Sequence, residues 1–399
     1  MSLTLEDGPS SFGIFTPPMH TTELGPTTVY ERELQLFEIA DQLGIQEAWV
    51  GEHYSGGHES IPSPELFLAA AAQRTKNIRL GTAVNSLPYH NPFTLAARIA
   101  MLDHLSHGRV MMGFGPGASG SDAHMLGIDS SSTREWMLEA AEVIIGLLRG
   151  EVVTRKTDWF SLQDAYLQVQ PYQGGELEIV VAAVASPSGP STAGRLGIGM
   201  INMSATSPAA YDSLNRHWSI VEAEAERSGQ TVSRAQWRLA SMTHIAETEE
   251  QARADCLFAF EEIWRHIAAV GPLEASPESS ATELLEEAIE SGALIVGTPD
   301  TLIRVIRDLA RQTGGFGTFV MTMPGFADFD ARKRALELYA THVVPEFRGQ
   351  LQNLRRSRDW VLGQRDEDGN TIWKGRSRAG VAKAREAYDA QRGATPAGA

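Results

Sequence analysis

Eight runs of β-branched and apolar residues, each followed by a helix-like stretch, predict an α/β fold built on a parallel sheet with right-handed crossovers. Size agrees. The chain has 399 residues, of which 42% are hydrophobic, enough to bury a large core. Periodicity alone leaves open whether the sheet closes into a barrel or stays open and doubly wound.

The elements read in order as follows. Phe12-Gly13-Ile14-Phe15 is the first strand, and the helix from Val29 to Leu43 ends at Gly44, a C-terminal cap residue. Glu47-Ala48-Trp49-Val50-Gly51 is the second strand. The helix from Pro64 to Thr75 has Ser63 as N-cap candidate and proline at its first position. Ile78 to Ala83 is the third strand, Pro92 to Leu105 the next helix, Val110 to Phe114 the fourth strand and Thr133 to Leu148 a further helix. Ile179 to Ala182 and Met200 to Met203 are strands flanking a helix from about Ser188 to Leu196. A helix from Tyr211 to Ser228, a strand from Trp237 to Ile245 and one long helix from Glu249 to Ala269 come next. Thr318 to Met323 is the last strand, and Ala331 to Thr341 the last long helix.

Three stretches exceed ordinary loop length: Gly150 to Gly175, the Pro/Ser/Glu-rich Gly271 to Leu294, and the Arg-rich Gln350 to Ala399 with Trp360 and Trp373. The division implied is a domain over 1–349 and an extension over 350–399, whose Ala/Gly/Pro-rich last residues are predicted to be disordered. The formal net charge of −16 argues against a nucleic-acid surface and suits a soluble enzyme. The single cysteine, Cys256, permits no intrachain disulfide and reads as part of a helix face. Met1 to Gly8 has neither a basic start nor an apolar core, and the apolar run Leu66 to Ala72 is far short of the ~20 residues of a membrane span. A cytoplasmic location is expected.

Chemistry is expected at the C-terminal ends of the strands. Glu52-His53-Tyr54 follows the second strand, Val84 to Asn91 the third, Gly115 to Gly120 the fourth and Ala183 to Gly189 the fifth. Ser186 to Gly189 precedes a helix, so its free N–H groups suit a phosphate. Plain capping by Ser186 or Ser188 explains the same residues. His53 is either a satisfied buried histidine or a general base. Glu52, His53, His58 and Glu59 match no standard zinc spacing. Gly113-Phe114-Gly115-Pro116-Gly117 departs from a dinucleotide fingerprint, and Ser191 falls inside a helix rather than at a nucleophile elbow.

Five segments, in order across Phe12 to Gln350, resemble the luciferase-like flavin monooxygenases: Leu43 to His53, Ile78 to Val84, Leu102 to Arg109, Ile295 to Asp300, and Leu336 to Arg348. The limonene-hydroxylase-like branch is the most similar.

The resemblance implies a (β/α)8 TIM barrel with insertions and a C-terminal extension. It puts Glu52 and His53 in the catalytic positions, with His53 at the flavin's reactive edge. It implies a cis peptide at Ala83–Val84 beneath the isoalloxazine ring, with Asn85 and Ser86 touching the ring. Phosphate binding falls to Ser186, Ser188, Gly189 and Arg134. Pro116 stands where some members carry an arginine, which points to weak holding of a diffusible cofactor. The implied activity is a two-component FMN-dependent monooxygenase. A separate NAD(P)H:flavin reductase supplies FMNH2, and a C4a-(hydro)peroxyflavin oxygenates a small apolar substrate. No metal is implied, and a homodimer is expected, with the tail lying across the partner. The two long excursions are candidate lids, with Trp159, Phe160 and Tyr166 either lining a substrate pocket or packing on the barrel. The rival readings are an F420-dependent hydride-transfer enzyme of the same superfamily and a flavin-binding barrel without catalysis.

Overall fold

The computed structural model describes residue 5 and residues 8–17, 19–270 and 275–393. Eight parallel strands close into a barrel: Ser11–Thr16, Glu47–Val50, Arg79–Thr82, Val110–Gly115, Glu178–Ala183, Gly199–Asn202, Trp237–Ile245 and Thr318–Thr322. Closure rests on one pairing distant in sequence, Ser11↔Thr318, between the first strand and the last. The first seven strands and their helices can only build an open sheet. The eighth completes it by pairing on both sides, with the first strand and with the seventh.

Strand alternation sorts the side chains into two cores. Phe15, Trp49, Ala83, Met111, Val180, Ile201, Ala240 and Val320 fill the barrel interior. Phe12, Ile14, Val50, Leu80, Met112 and Phe319 face outward into the helix layer. Toward the N-terminal end of the strands, the interior is closed by charge. Buried Arg238 donates to both carboxylate oxygens of Glu47 at 2.8 Å and pairs with Glu178 at 2.8 Å. Its guanidinium also lies 5.2 Å over the Trp49 ring. The Trp49 ring fits because residue 81 is glycine: a Cβ there would come within 2.2 Å of it.

Proline starts five barrel helices among the described residues, Pro26–Gln42, Pro64–Arg74, Pro92–Leu105, Pro208–Ser228 and Pro299–Thr313, where a missing N–H costs nothing. The structure departs from the sequence reading in four places. The single helix expected from Glu249 to Ala269 is two, Glu249–Cys256 and Phe260–Val270. At the break Ala259 donates its N–H to the Phe326 carbonyl, and Phe260 packs against Phe326 with centroids 4.9 Å apart. The excursion before Leu294 holds a helix, Ala281–Glu290, started by a reciprocal Ser280–Glu283 capping box. Leu294–Gly297 is a ninth parallel strand beside Met242–Ile245, outside the closed ring. The last helix, Phe329–Leu338, passes into a π turn at Tyr339–Val343, whose buried Tyr339 hydroxyl donates to Phe319 O at 3.2 Å.

Between Gly150 and Gly175 the chain forms an antiparallel hairpin, Val153–Lys156 with Ser161–Ala165. Trp159 stacks on Trp136 of helix Thr133–Leu148 at 5.2 Å and Phe160 is buried, so both pack on the barrel, while Tyr166 stays exposed. The expected disorder of the last residues concerns positions outside the described residues, as does part of the Gly271 to Leu294 excursion.

Met1–Phe347 and Arg348–Ala399 are separate compact units. The second is two helices, Gln352–Gly363 and Ile372–Gly393, joined by a turn that Asp366 closes through the Asn370 N–H. Trp360 and Trp373 pack on each other at 5.0 Å. Among the described residues no helix is long and apolar enough to cross a membrane.

Candidate active site

The third and fourth strands stop pairing after Gly81↔Met111, and the chain bulges at the C-terminal rim. Thr82 bridges the gap with its side chain. Its hydroxyl donates to Gly113 O at 2.7 Å and accepts from Gly113 N at 3.0 Å. Only glycine fits at 113, since a Cβ would lie 2.0 Å from the Thr82 carbonyl oxygen. The Ala83–Val84 peptide is cis, and pairing resumes at Asn85↔Phe114 and Ser86↔Gly115. Asn85 is fully buried, yet neither its Oδ1 nor its Nδ2 has a hydrogen-bond partner in the protein. A buried amide without partners costs on the order of 1–3 kcal/mol per group and points to a ligand that satisfies it.

Glu52 and His53 are adjacent in sequence but serve different neighbours. Glu52 is buried and ties the rim together. It accepts from the Tyr54 hydroxyl at 2.6 Å, His90 Nε2 at 2.7 Å and the Ser86 N–H at 2.6 Å. Arg98, a donor only, lies 3.1 Å from His90 Nδ1, which fixes the His90 proton on Nε2. His53 is half-buried between two carboxylates, with Asp122 Oδ2 3.3 Å from Nδ1 and Glu59 Oε2 3.2 Å from Nε2. Burial opposes its protonation, but the Asp122 hydrogen bond and the charges of Glu59, Asp122 and Glu52 prevail, and its pKa is raised. Burial raises the Glu59 pKa. Burial also works against ionisation of Asp122, but donors from His53, Ser55 and Tyr54 prevail and lower its pKa. Behind this group His58 faces Glu262 at 3.2 Å and stacks on His266 at 4.3 Å. Among the described residues no group of three or more His, Cys, Asp or Glu side chains is placed to hold a metal ion.

The turn after the fifth strand leads into helix Ser188–Leu196, whose first turn has no side-chain cap. The Ser186 and Ser188 hydroxyls lie 3.0 Å apart, so neither closes off the helix start. Gly189 lets the helix approach the strand, because a Cβ there would be 2.7 Å from Ala182 O. Arg134 is exposed on the first turn of the neighbouring helix Thr133–Leu148 and makes no hydrogen bond or ion pair among the described residues. Arg195 and Glu142 join these two helices at 2.7 Å.

Asp122 escapes a sequence reading, and Glu59 and His90, though they lie in segments that reading singles out, are not recognisable there as partners of His53 and Glu52. Asp122 sits 69 positions from His53 on a short helix, Gly120–Met125. The only local signal is the Ser119 N-cap three residues before it.

A model of the luciferase-like monooxygenase family matches residues 10–315. The chain is 44% identical to limonene 1,2-monooxygenase of Rhodococcus erythropolis over 350 residues, 88% of this chain and 89% of the relative. It is 41% identical to 4-hydroxyprotoasukamycin monooxygenase of Streptomyces nodosus subsp. asukaensis, covering 89% and 96%. Its fold is shared by the oxygenating constituent of 3,6-diketocamphane monooxygenase from Pseudomonas putida, a structure in complex with FMN, at TM-score 0.70 and 23% identity over 85% and 99% of the chains. On the extent of the family match and the identity to two monooxygenases over nearly their whole length, the chain is a monooxygenase that belongs to the luciferase-like monooxygenase family.

Proposed function

We propose that this protein is the oxygenase component of a two-component system. It would take reduced FMN from a separate NAD(P)H:flavin reductase and insert one atom of O2 into a small apolar substrate. The observation that carries the reading is the convergence at one rim of a carboxylate-flanked histidine, His53, and the buried, unpartnered amide of Asn85. The residues fit a flavin. A ring edge that both donates and accepts matches the two orphaned atoms of Asn85, and the uncapped helix at Ser188 suits a phosphate.

The reduced flavin, when bound, supplies the electrons and the oxygen-activating centre. The protein's part is to orient it and manage protons. His53 holds a proton between Glu59 and Asp122 and presents it at the reacting edge. Glu52 is a positioning residue that fixes Ser86 and His90. Ser186, Ser188, Gly189 and Arg134 receive the phosphate, and Ala83, Val84 and Asn85 support the ring. A homodimer fits the apolar groove of about 740 Å³ between helix Pro92–Leu105 and Tyr166–Val169, which leaves Met101 and Tyr166 exposed, and the proposed location is the cytoplasm.

The test is a coupled assay with flavin reductase, NADH, FMN and limonene under 18O2, read by mass spectrometry. One 18O atom in the product supports the proposal. Turnover with reduced F420 in place of FMN, with no label incorporated, sinks it in favour of hydride transfer. Flavin binding without product from any of a panel of terpenes, ketones and aldehydes favours a non-catalytic barrel.

A further inference from the structure

The turn that begins the phosphate site is held from the barrel side by a chain of hydrogen bonds whose direction the chemistry dictates. Asn202 ends the sixth strand, in register with Ala183, and is fully buried. Its Oδ1 lies 2.8 Å from Trp237 Nε1. An indole nitrogen only donates, so the orientation of the amide is set and its NH2 faces the other way. That NH2 lies 2.9 Å from His217 Nδ1 and 3.5 Å from Val184 O. An amide NH2 also only donates, so Nδ1 of His217 accepts and carries no proton. The ring proton therefore sits on Nε2, 3.3 Å from the Ala185 carbonyl. His217 is buried, and burial followed by the neighbouring Arg216 charge, against the Ala185 hydrogen bond, lowers its pKa and keeps the ring neutral.

The chain thus runs from Trp237 through Asn202 and His217 into the backbone just before Ser186. Its two end points are carbonyls, and that matters. In a trans peptide the C=O and the following N–H point in opposite directions. Tying the Val184 and Ala185 carbonyls inward turns the N–H groups of Ala185 and Ser186 outward. Both residues are exposed, and neither N–H has a protein acceptor among the described residues. Two outward N–H groups immediately ahead of an uncapped helix start make an anion-binding concavity larger than the helix end alone.

We propose that His217 is a positioning residue for the cofactor's phosphate: its neutral Nε2–H tautomer, selected by Asn202 and Trp237, locks the Ala185–Ser186 peptide with its N–H toward the ligand. This rests on the reading that the Ser186 turn takes the phosphate of FMN. His217 itself touches no ligand, so its replacement acts on phosphate affinity alone.

The experiment is anaerobic equilibrium titration with FMNH2 and with reduced riboflavin, which lacks the phosphate, on the full-length protein. The quantity read is the ratio of the two dissociation constants. The wild type prefers FMNH2. His217→Phe keeps the ring's bulk but removes the donor. It lowers that preference roughly five- to tenfold, the value of one hydrogen bond, with riboflavin affinity unchanged. His217→Gln, whose Nε2 can reach the Ala185 carbonyl, restores most of the preference, whereas the shorter His217→Asn does not. If the wild type binds both flavins equally, the phosphate reading fails and takes this inference with it. If the wild type discriminates and His217→Phe discriminates as well, the positioning role alone is overturned. Should His217→Phe not fold, the contrast between the Gln and Asn variants decides: equal ratios in the two overturn the proposal.

Discussion

Glu52→Gln is the smallest change that separates a positioning carboxylate from a replaceable one. The side chain keeps its shape and loses one acceptor. In the native rim Oε1 accepts from Tyr54 and His90, and Oε2 accepts from the Ser86 N–H. Glutamine has one oxygen and one NH2, so one set of partners must face a donor. With the NH2 toward Ser86, a buried backbone N–H is left opposite another donor. With the NH2 toward the other side, His90 cannot adapt by moving its proton, because Arg98 occupies Nδ1 as a donor. The less costly arrangement loses one charge-assisted hydrogen bond and strands the Ser86 N–H, about 2–3 kcal/mol. The loss is local to Asn85–His90, the segment proposed to support the ring. We expect a lower urea midpoint with an unchanged slope, together with weakened FMNH2 binding. Glu52→Ala, which strands all three donors, should cost more. If Glu52→Gln unfolds within about 0.5 kcal/mol of the wild type and binds flavin equally well, the carboxylate is not the tie described here.

Four further outcomes are expected. The raised pKa of His53 places its titration in the pH–activity profile above the ordinary histidine value, and Asp122→Asn should move that limb to lower pH; no movement would remove Asp122 from control of His53. The same shift has a stability sign: the His53⁺ contribution is fully present below the unfolded histidine pKa and is lost as pH rises through the raised folded value, so Asp122→Asn should flatten the stability decline across that window. Gly81→Ala drives a Cβ into the buried Trp49 ring and should cost about 1–3 kcal/mol or prevent folding, read by thermal denaturation; a neutral result would contradict the packing of the barrel interior. Arg238→Met leaves Glu47 without its buried cation and Glu178 with Arg79 alone, and should cost about 3–5 kcal/mol at neutral pH, with a smaller deficit in acid as Glu178 protonates; a loss that does not depend on pH would rule out the ion cluster as its cause.

The sequence made legible what depends on local chemistry. Helices Pro92–Leu105, Thr133–Leu148 and Ser188–Leu196 and strand Trp237–Ile245 have the expected bounds, because proline, caps and apolar period act within a few residues. The helix at Ala281–Glu290 was legible in principle through Ser280 and Glu283, but the Pro/Ser/Glu composition around it reads as loop. The break at Leu257 to Ala259 was not, since its cause is the Phe326 carbonyl, far along the chain. The candidate site divides the same way. His53 and Glu52 stand out as polar residues at a strand end. Which partner each takes depends on Asp122 and Glu59 for one and Ser86 and His90 for the other, and Asp122, Ser86 and His90 come within reach only when the second, third and fourth strands lie side by side.

The two ends of the barrel treat buried polarity in opposite ways, and this is the physical basis for separating stability from function in this fold. At the N-terminal end Arg238 and Arg79 match Glu47 and Glu178, two cations against two carboxylates, so the charges satisfy one another and close the interior. At the C-terminal end the amide of Asn85 goes unmatched and the helix at Ser188 goes uncapped. Each unmatched group costs stability that the protein itself does not recover, and a ligand that pairs with it recovers that cost on binding. Flavin should therefore raise the unfolding midpoint. Asn85→Leu, which removes the unmatched amide at similar volume, should raise the apo midpoint while diminishing the flavin-dependent increment. A variant that lost apo stability and kept the full increment would break the link between the orphaned amide and the cofactor.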